Sequence, residues 1–187
     1  MKRIIKSAVF ASSFVVLANL AAVIPGLPSL IPALQADDKG TLLLDVAIDC
    51  RTWRFNQGIS FSAFGRGDSF YATGKIFRAG TLLPGTTAND PNAPGSIGTF
   101  IEHGTMAASP AEINAGTRPA FAASWLHLLD GGRGGIVAEG PHPDSGPLAV
   151  VGGMGPFRGA SGELLVSIIG TNITGCPNMR LTFNLEK

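Results

Sequence analysis

One glycine-rich stretch decides how the second half of this chain folds. Residues 148–163 read LAVVGGMGPFRGASGE, a short apolar strand that runs into a glycine turn. A phosphate-binding loop would need a Lys-Ser/Thr pair and a following helix, and neither is present here. We therefore expect Gly152, Gly153 and Gly155 to supply positive φ angles and close backbone packing at a barrel corner, with Phe157 plugging the barrel end.

Short strands with alternating apolar residues extend outward from this stretch. The cleanest is 179–185, where Met, Leu, Phe and Leu alternate with polar residues. At the other end of the chain, Leu42, Leu44, Val46 and Ile48 mark the first strand, with Asp45 and Asp49 on its opposite face. Further strands are expected at residues 59–64, 70–77, 97–106, 119–129, 136–139 and 163–169.

Breaker residues separate these strands every eight to fifteen positions. Asp130-Gly131-Gly132 predicts a hairpin turn, and residues 110–116 allow at most one helical turn. Residues 83–95 form a long loop, expected to be a functional lid or a mobile tip. Eight or nine short strands without helices predict an all-β barrel or sandwich.

Residues 1–36 have the order of a secretory signal peptide. The sequence opens MKRIIK and continues with the apolar run 8–24, and Ala36 before Asp37 offers a cleavage point. An uncleaved membrane anchor is the alternative, although the run of 17 residues is short for a span. Cleavage would leave residues 37–187 as a single β-barrel domain in a secreted or periplasmic location.

The charge of that domain argues against nucleic acid as a partner. Removing the leader leaves 11 Lys and Arg against 13 Asp and Glu, a net charge of −2. The remaining cations are scattered and form no basic stripe of the kind that binds phosphate backbones.

Residues 148–163 resemble the strand–turn–strand signature of the dirigent and allene oxide cyclase superfamily, in which Gly-Gly-x-Gly-x-Phe is followed by a basic residue and Ala-x-Gly. The resemblance extends over about residues 130–186 and more weakly back to Leu42. It implies a single closed antiparallel barrel of about eight strands, with an apolar lumen that holds a lipophilic or aromatic molecule. It also implies confinement chemistry without a cofactor, and a possible homodimer or homotrimer. One departure weakens a lignan-type coupling mechanism: Gly146 and Pro147 stand where plant dirigent proteins usually carry charges.

The two cysteines, Cys50 and Cys176, are predicted to form one disulfide. Exported proteins favour such bridges, and a closed barrel brings its first and last strands together. Two separate buried thiols are the alternative. Neither cysteine lies in a metal-binding motif, and the spacing of the three histidines does not suggest a metal site.

The candidate site residues are polar groups that could enter the lumen and aromatic side chains that could line it. A lumenal carboxylate would have its pKa raised by desolvation and could act as an acid or a base. Asp49, Glu102 and Arg158 are the catalytic candidates, and Trp53, Phe70, Phe121 and Trp125 are the substrate-binding candidates. Asp68, Arg78, His103, His127 and Glu139 are further polar candidates.

The resemblance implies an exported cyclase-like or dirigent-like barrel that orients an apolar or aromatic substrate in its lumen, and, if it is an enzyme, a cofactor-independent cyclase or isomerase. A non-catalytic lipophile-binding protein or a structural envelope protein is the alternative.

Overall fold

The computed structural model describes residues 40–56, 64–85, 89–116, 121–141 and 146–186, all within one compact unit. The predicted leader, residues 1–36, lies outside these ranges. So does most of the strand expected at 59–64, of which only Phe64 is described, and Phe64 is not in a strand.

Eight strands make up the described fold. They are β1 (Thr41–Phe55), β2 (Ser69–Arg78), β3 (Gly98–Met106), β4 (Phe121–Leu129), β5 (Gly134–Pro141), β6 (Leu148–Met154), β7 (Gly162–Thr171) and β8 (Pro177–Leu185). Among the described residues, helical structure consists of one α-turn, α1 (Pro110–Asn114), and short 3-10 turns at Asp130–Gly132 and Gly155–Phe157. The predicted hairpin turn at 130–132 and the single helical turn after 109 are therefore confirmed.

Each strand pairs antiparallel with the next, and β8 pairs with β1 to close an eight-stranded barrel. The closing ladder runs from Thr41 opposite Asn184 to Ala47 opposite Asn178. The Cys50–Cys176 disulfide joins the same two parts of the chain, with 5.2 Å between the Cα atoms. The predicted fold class and the predicted disulfide are both confirmed.

Alternation along the strands separates the interior of the barrel from its outer wall. In β1, Leu42, Leu44 and Val46 are buried in the main core cluster together with Leu181 and Phe183 of β8. Asp45 and Ala47 are also buried, but they face outward beneath other parts of the chain. The two buried faces explain why β1 carries five consecutive buried residues.

One end of the barrel, the Phe157 end, is closed by the glycine turn. Phe157 is buried there, and a Cβ on Gly153 would collide with the Phe157 carbonyl, so close packing requires glycine. Gly155 has a φ of 59°, in the left-handed region. Gly152 departs from the expectation, because it has neither a positive φ nor a close neighbour.

The long loop between β2 and β3 lies against the outer wall of the barrel. Leu82 packs with Ala47 and Phe77 on the outside of β1 and β2. The Gly85 amide donates a hydrogen bond to the Ile169 carbonyl of β7 at 2.7 Å. The described parts of this loop, residues 79–85 and 89–97, therefore form a strap across the wall.

Over the described residues, no helix has the length and apolar character needed to cross a bilayer.

Candidate functional site

The polar groups of the barrel interior lie on β3 and β4. Interior positions alternate on both strands and place Phe100 and Glu102 on β3 beside Trp125 and His127 on β4. The register sets Glu102 directly opposite Trp125 and Phe100 directly opposite His127. Two titratable side chains, Glu102 and His127, thus lie diagonally across one strand pair, within an aromatic interior.

Glu102 is a buried carboxyl with a neutral hydrogen-bond donor. The Trp125 indole N–H donates to its Oε1 at 2.9 Å. Burial raises the pKa of Glu102 to about 7, and the Trp125 hydrogen bond acts in the opposite direction without cancelling that effect. Glu102 therefore divides between carboxylate and carboxylic acid near neutral pH, the condition that favours both taking up and delivering a proton.

His127 is a buried neutral imidazole with a fixed tautomer. Its Nδ1 lies 3.2 Å from the Ile136 carbonyl, which can only accept, so Nδ1 carries the proton. Burial lowers the pKa of His127 to about 4, and the Ile136 carbonyl opposes this shift. The Nε2 atom is then an acceptor, and no hydrogen-bond partner for it is found among the described residues.

Aromatic rings enclose this imidazole. The Phe100 ring centroid is 5.4 Å from that of His127, and the Phe183 ring meets it edge-on at 5.0 Å. His127, Phe100 and Phe183 have no exposed surface, so no space as large as a water adjoins them. Glu102, Trp125 and Phe70 are at most 2% exposed, so the interior is closely packed at their level as well.

The opposite end, the Trp53 end, carries a second group of aromatic side chains. Trp53 stacks on Phe70, with centroids 5.0 Å apart and planes 20° from parallel. Phe55 stacks on Phe64 at 5.9 Å. Phe70 of β2 lies opposite Gly104 of β3, two residues along each strand from the Ala72–Glu102 pair, and is therefore the next inward-facing residue on β2. These rings therefore lie between Glu102 and the Trp53 end of the barrel.

A bulge in β1 brings Trp53 to this position. Pairing with β2 shifts between Asp49, opposite Thr73, and Arg54, opposite Tyr71, so extra β1 residues face only Ala72. The Thr52 hydroxyl fixes the bulge, since it donates to the Asp49 carbonyl at 2.7 Å and accepts from the Thr73 amide at 2.9 Å. Nothing in the local sequence pattern predicts this bulge.

The predicted site residues are only partly brought together. Glu102, Trp125 and Phe70 are buried in the interior, and Trp53 packs against the same cluster. Asp49 lies on the outer face of β1, where hydrogen bonds from the exposed Arg51 lower the pKa of its carboxyl.

Two further candidates lie elsewhere. Arg158 is exposed in the turn that follows Phe157. Phe121 begins β4, and its side chain is outside the described part of the structure. The structure therefore does not bring Asp49 or Arg158 to Glu102.

Phe100, Phe183, Phe55 and Phe64 are interior residues that the sequence reasoning did not single out. The alternation of inward-facing residues could have identified two of them, because Phe100 is two positions from Glu102 and Phe183 is two from Leu181.

In the parts of the chain that the structure describes, no three His, Cys, Asp or Glu side chains are grouped as a metal site would require.

Comparison with known proteins identifies the fold. Neither a protein-family model nor a curated protein sequence matches the chain. Among solved structures, a pyocyanin demethylase is similar over 78% of this chain and 99% of its own, with 18% identity and a TM-score of 0.51. A pterocarpan synthase dirigent protein is similar over 82% of this chain and 99% of its own, with 13% identity and a TM-score of 0.51. The chain therefore shares the barrel fold of these two proteins.

Proposed function

We propose that this chain is an exported barrel that binds a neutral, planar aromatic molecule in its interior and isomerises it by proton transfer through Glu102. The observation that carries the proposal is the buried Glu102 carboxyl, which has an indole N–H as its partner and a pKa of about 7. A buried carboxyl without a cation destabilises a fold, and strongly shifted groups of this kind are concentrated at functional sites.

The chemistry needs no oxidant. Ionised Glu102 removes a proton from a carbon next to a carbonyl group: the C–H bond breaks, its electron pair becomes the enolate double bond, and the proton stays on the carboxyl. Return of that proton to a different carbon or oxygen completes an isomerisation or assists a ring closure. Trp125 holds the carboxyl in place, and the stacked Trp53 and Phe70 would orient a planar substrate.

Two lines of support lie outside the site. Both structural neighbours have enzyme names, a demethylase and a synthase, which supports only that such barrels can house chemistry. The predicted leader and the Cys50–Cys176 disulfide support export, because disulfides persist in oxidising compartments.

Hydrogen–deuterium exchange tests the proton transfer without knowledge of the natural substrate. The probe is 2-tetralone, a neutral ketone fused to a benzene ring, whose exchangeable C–H groups next to the carbonyl are followed by NMR in D₂O. We expect the protein to accelerate exchange at least about 100-fold more than its Glu102→Gln variant, the usual scale of general-base catalysis. The protein-dependent rate should rise with pH through about 7 as Glu102 ionises.

Glu139→Gln is the matched control, because Glu139 is exposed on β5 and its carboxylate accepts from Ser124. Its exchange rate should equal that of the wild type. Equal rates in wild type and Glu102→Gln would remove Glu102 from any proton-transfer role.

A second candidate function is a structural envelope protein with a filled barrel, which transforms nothing. The observation that favours it is the solid packing around Phe100, His127 and Phe183, which leaves no exposed surface there. Binding of 2-tetralone without exchange would support a carrier, and the absence of both would support a structural role.

A further inference from the structure

The outward-facing side chains of the barrel wall differ in polarity between its two sides. On β8 the outward positions are polar, with Arg180, Thr182 and Asn184. On strands β3 to β6 the outward positions include six uncharged residues, which we call the β3–β6 face: Ile101, Leu126, Leu128, Val137, Gly152 and Met154. All six are at least partly exposed, and none belongs to a buried core cluster.

The register makes the β3–β6 face continuous. One row of directly paired residues crosses the four strands, in the order Ile101, Leu126, Val137 and Gly152. Leu128 and Met154 lie beside this row, two residues further along β4 and β6, and Met154 is 41% exposed. The wall therefore presents a connected apolar surface to the solvent on this side.

Gly152 lies on this face without a reason inside the barrel for being glycine. Its φ is outside the left-handed region, and a Cβ there would meet no described atom within 4 Å. Glycine weakens the interior of a strand, because it loses more conformational freedom on folding and has no side chain to pack. A glycine in a strand often marks a place where another molecule approaches the backbone closely. The open Gly152 therefore indicates a contact from outside the barrel.

The arrangement of large and small residues on the β3–β6 face is self-complementary. Val137 lies directly between Leu126 and Gly152 in the register. A two-fold axis through Val137, parallel to β5, places Leu126 of each copy over Gly152 of the partner subunit. The same axis brings Leu128 to Met154, because both lie opposite Gly135. A patch that meets itself in this way is what a two-fold symmetric contact requires.

The size and charge of the face fit a weak dimer. A strand spacing of about 4.8 Å, with about 6.8 Å between successive outward residues, gives four strands a face of roughly 400 Å². A stable interface covers about 800 Å² on each partner. None of the six residues of the face is charged, so two copies meet there without repulsion. Glu139 lies at its border on the same axis, two residues from Val137, and brings two carboxylates toward each other. We therefore expect a dissociation constant of about 10 µM.

We propose that the β3–β6 face is a docking surface for a second copy of this chain, joined by a two-fold axis at Val137, with Leu126 packed over Gly152 of the partner subunit. The inference does not depend on the proposed function, because the residues of this face point away from the barrel interior and from Glu102.

Sedimentation velocity of the protein from about 1 to 200 µM tests the dimer, and Gly152→Val is the most informative variant. The valine meets no described atom of its own chain, so its thermal midpoint should equal or exceed that of the wild type. It occupies the space that Leu126 of the partner subunit needs, so the Kd for dimerisation should rise at least about tenfold. The double variant Leu126→Ala/Gly152→Val makes room again and should dimerise more tightly than Gly152→Val alone.

Charge substitutions give a matched pair. Leu126→Glu places a charge on the face and should leave the protein monomeric over the same concentrations. Leu165→Glu is the control, because Leu165 is 44% exposed on the outer side of β7, opposite Thr182 and away from the face. Its Kd should equal that of the wild type. Glu139→Gln removes the like charges near the axis and should tighten the dimer about threefold.

Three results would overturn the inference. A wild type that stays monomeric at about 200 µM would show that a second copy does not dock on this face. A dimer that is equally tight in Gly152→Val, or equally weakened by Leu126→Glu and Leu165→Glu, would place the contact elsewhere on the wall. A lower thermal midpoint in Gly152→Val would show that the barrel itself requires the glycine.

Discussion

Glu102 and His127 are buried titratable groups whose pKa values move in opposite directions, and both shifts make stability depend on pH. The folded pKa of Glu102, about 7, exceeds its ordinary value of 4.5. The folded protein therefore holds a proton that the unfolded chain has released, and stability falls as pH rises from 4.5 to 7. The folded pKa of His127, about 4, lies below its ordinary value of 6.5. The unfolded chain then binds the extra proton, and stability falls as pH drops from 6.5 to 4.

Single substitutions should separate the two effects. Between pH 4.5 and 6.5 the slopes oppose each other, so the wild-type free energy of unfolding should be nearly flat. In Glu102→Gln only the His127 effect remains, and stability should rise with pH by about 3 kcal/mol from pH 4 to 6.5. In His127→Phe stability should fall by about 3 kcal/mol from pH 4.5 to 7.

Urea unfolding at a series of pH values measures these slopes. The quantity compared is the change in the free energy of unfolding with pH within each variant. A packing cost of the Phe substitution that is the same at every pH therefore does not affect the result. A flat profile in both variants would mean that neither group is as strongly desolvated as the structure indicates.

From the sequence, an interior position for Glu102 can be predicted only from the alternation of inward-facing and outward-facing residues along β3. The same alternation along β1 predicts on which face Asp49 lies. Asp45 and Asp49 have the opposite parity to Leu44 and Val46, which indicates the outer face. The burial of Asp45 could not be predicted this way, because it depends on the strap, whose path across β1 has no signal in the local pattern.

At the level of elements, Asp45 connects three parts of the wall. Its carboxylate, fully buried, accepts from Nε of Arg180 on β8 at 2.9 Å and from the amides of Gly80 and Leu82 in the strap at 2.8 and 3.1 Å. The ion pair therefore links β1 to β8 at the barrel closure and holds the strap over both. A buried carboxylate with several donors strongly stabilises the geometry that supplies them.

Asp45→Asn should destabilise the fold by about 2–3 kcal/mol, because it leaves Arg180 without its carboxylate and replaces one acceptor oxygen by a donor. Asp49→Asn is the control, since Asp49 lies on the same face of β1 but pairs with the solvent-exposed Arg51. Its thermal midpoint should stay close to that of the wild type. Thermal unfolding by circular dichroism compares the two, and equal losses would mean that the strap contributes no more than a surface ion pair.

Which residues form strands is the feature most easily predicted from the sequence, whereas interruptions in strand pairing are the hardest to predict. The alternation of apolar and polar residues predicts β8 and the first half of β1, because one face of each strand is apolar. The β1 bulge depends on hydrogen bonds to the neighbouring strand β2. That irregularity positions Trp53, so the fold is more predictable than the candidate site.

For the molecule as a whole, closure of the first strand on the last is the main long-range constraint. The β1–β8 ladder forms part of it, and the bridge between Cys50 and Cys176 spans a sequence separation of 126 residues. The ladder already holds these parts together in the folded state. The bridge therefore acts mainly on the unfolded chain, whose conformational freedom it restricts.

Removing the bridge should lower stability and leave the barrel intact. For a loop of this length we expect the double variant Cys50→Ser/Cys176→Ser to lose about 2–5 kcal/mol, or roughly 5–15 °C in Tm for a domain of this size. Dithiothreitol should lower the wild-type Tm by a similar amount and leave the double variant unchanged, as measured by calorimetry. The far-ultraviolet circular dichroism of the double variant at 20 °C should match that of the wild type, because the ladder alone closes the barrel. Loss of the β signal there would mean that the ladder cannot keep the first and last strands paired without the covalent link.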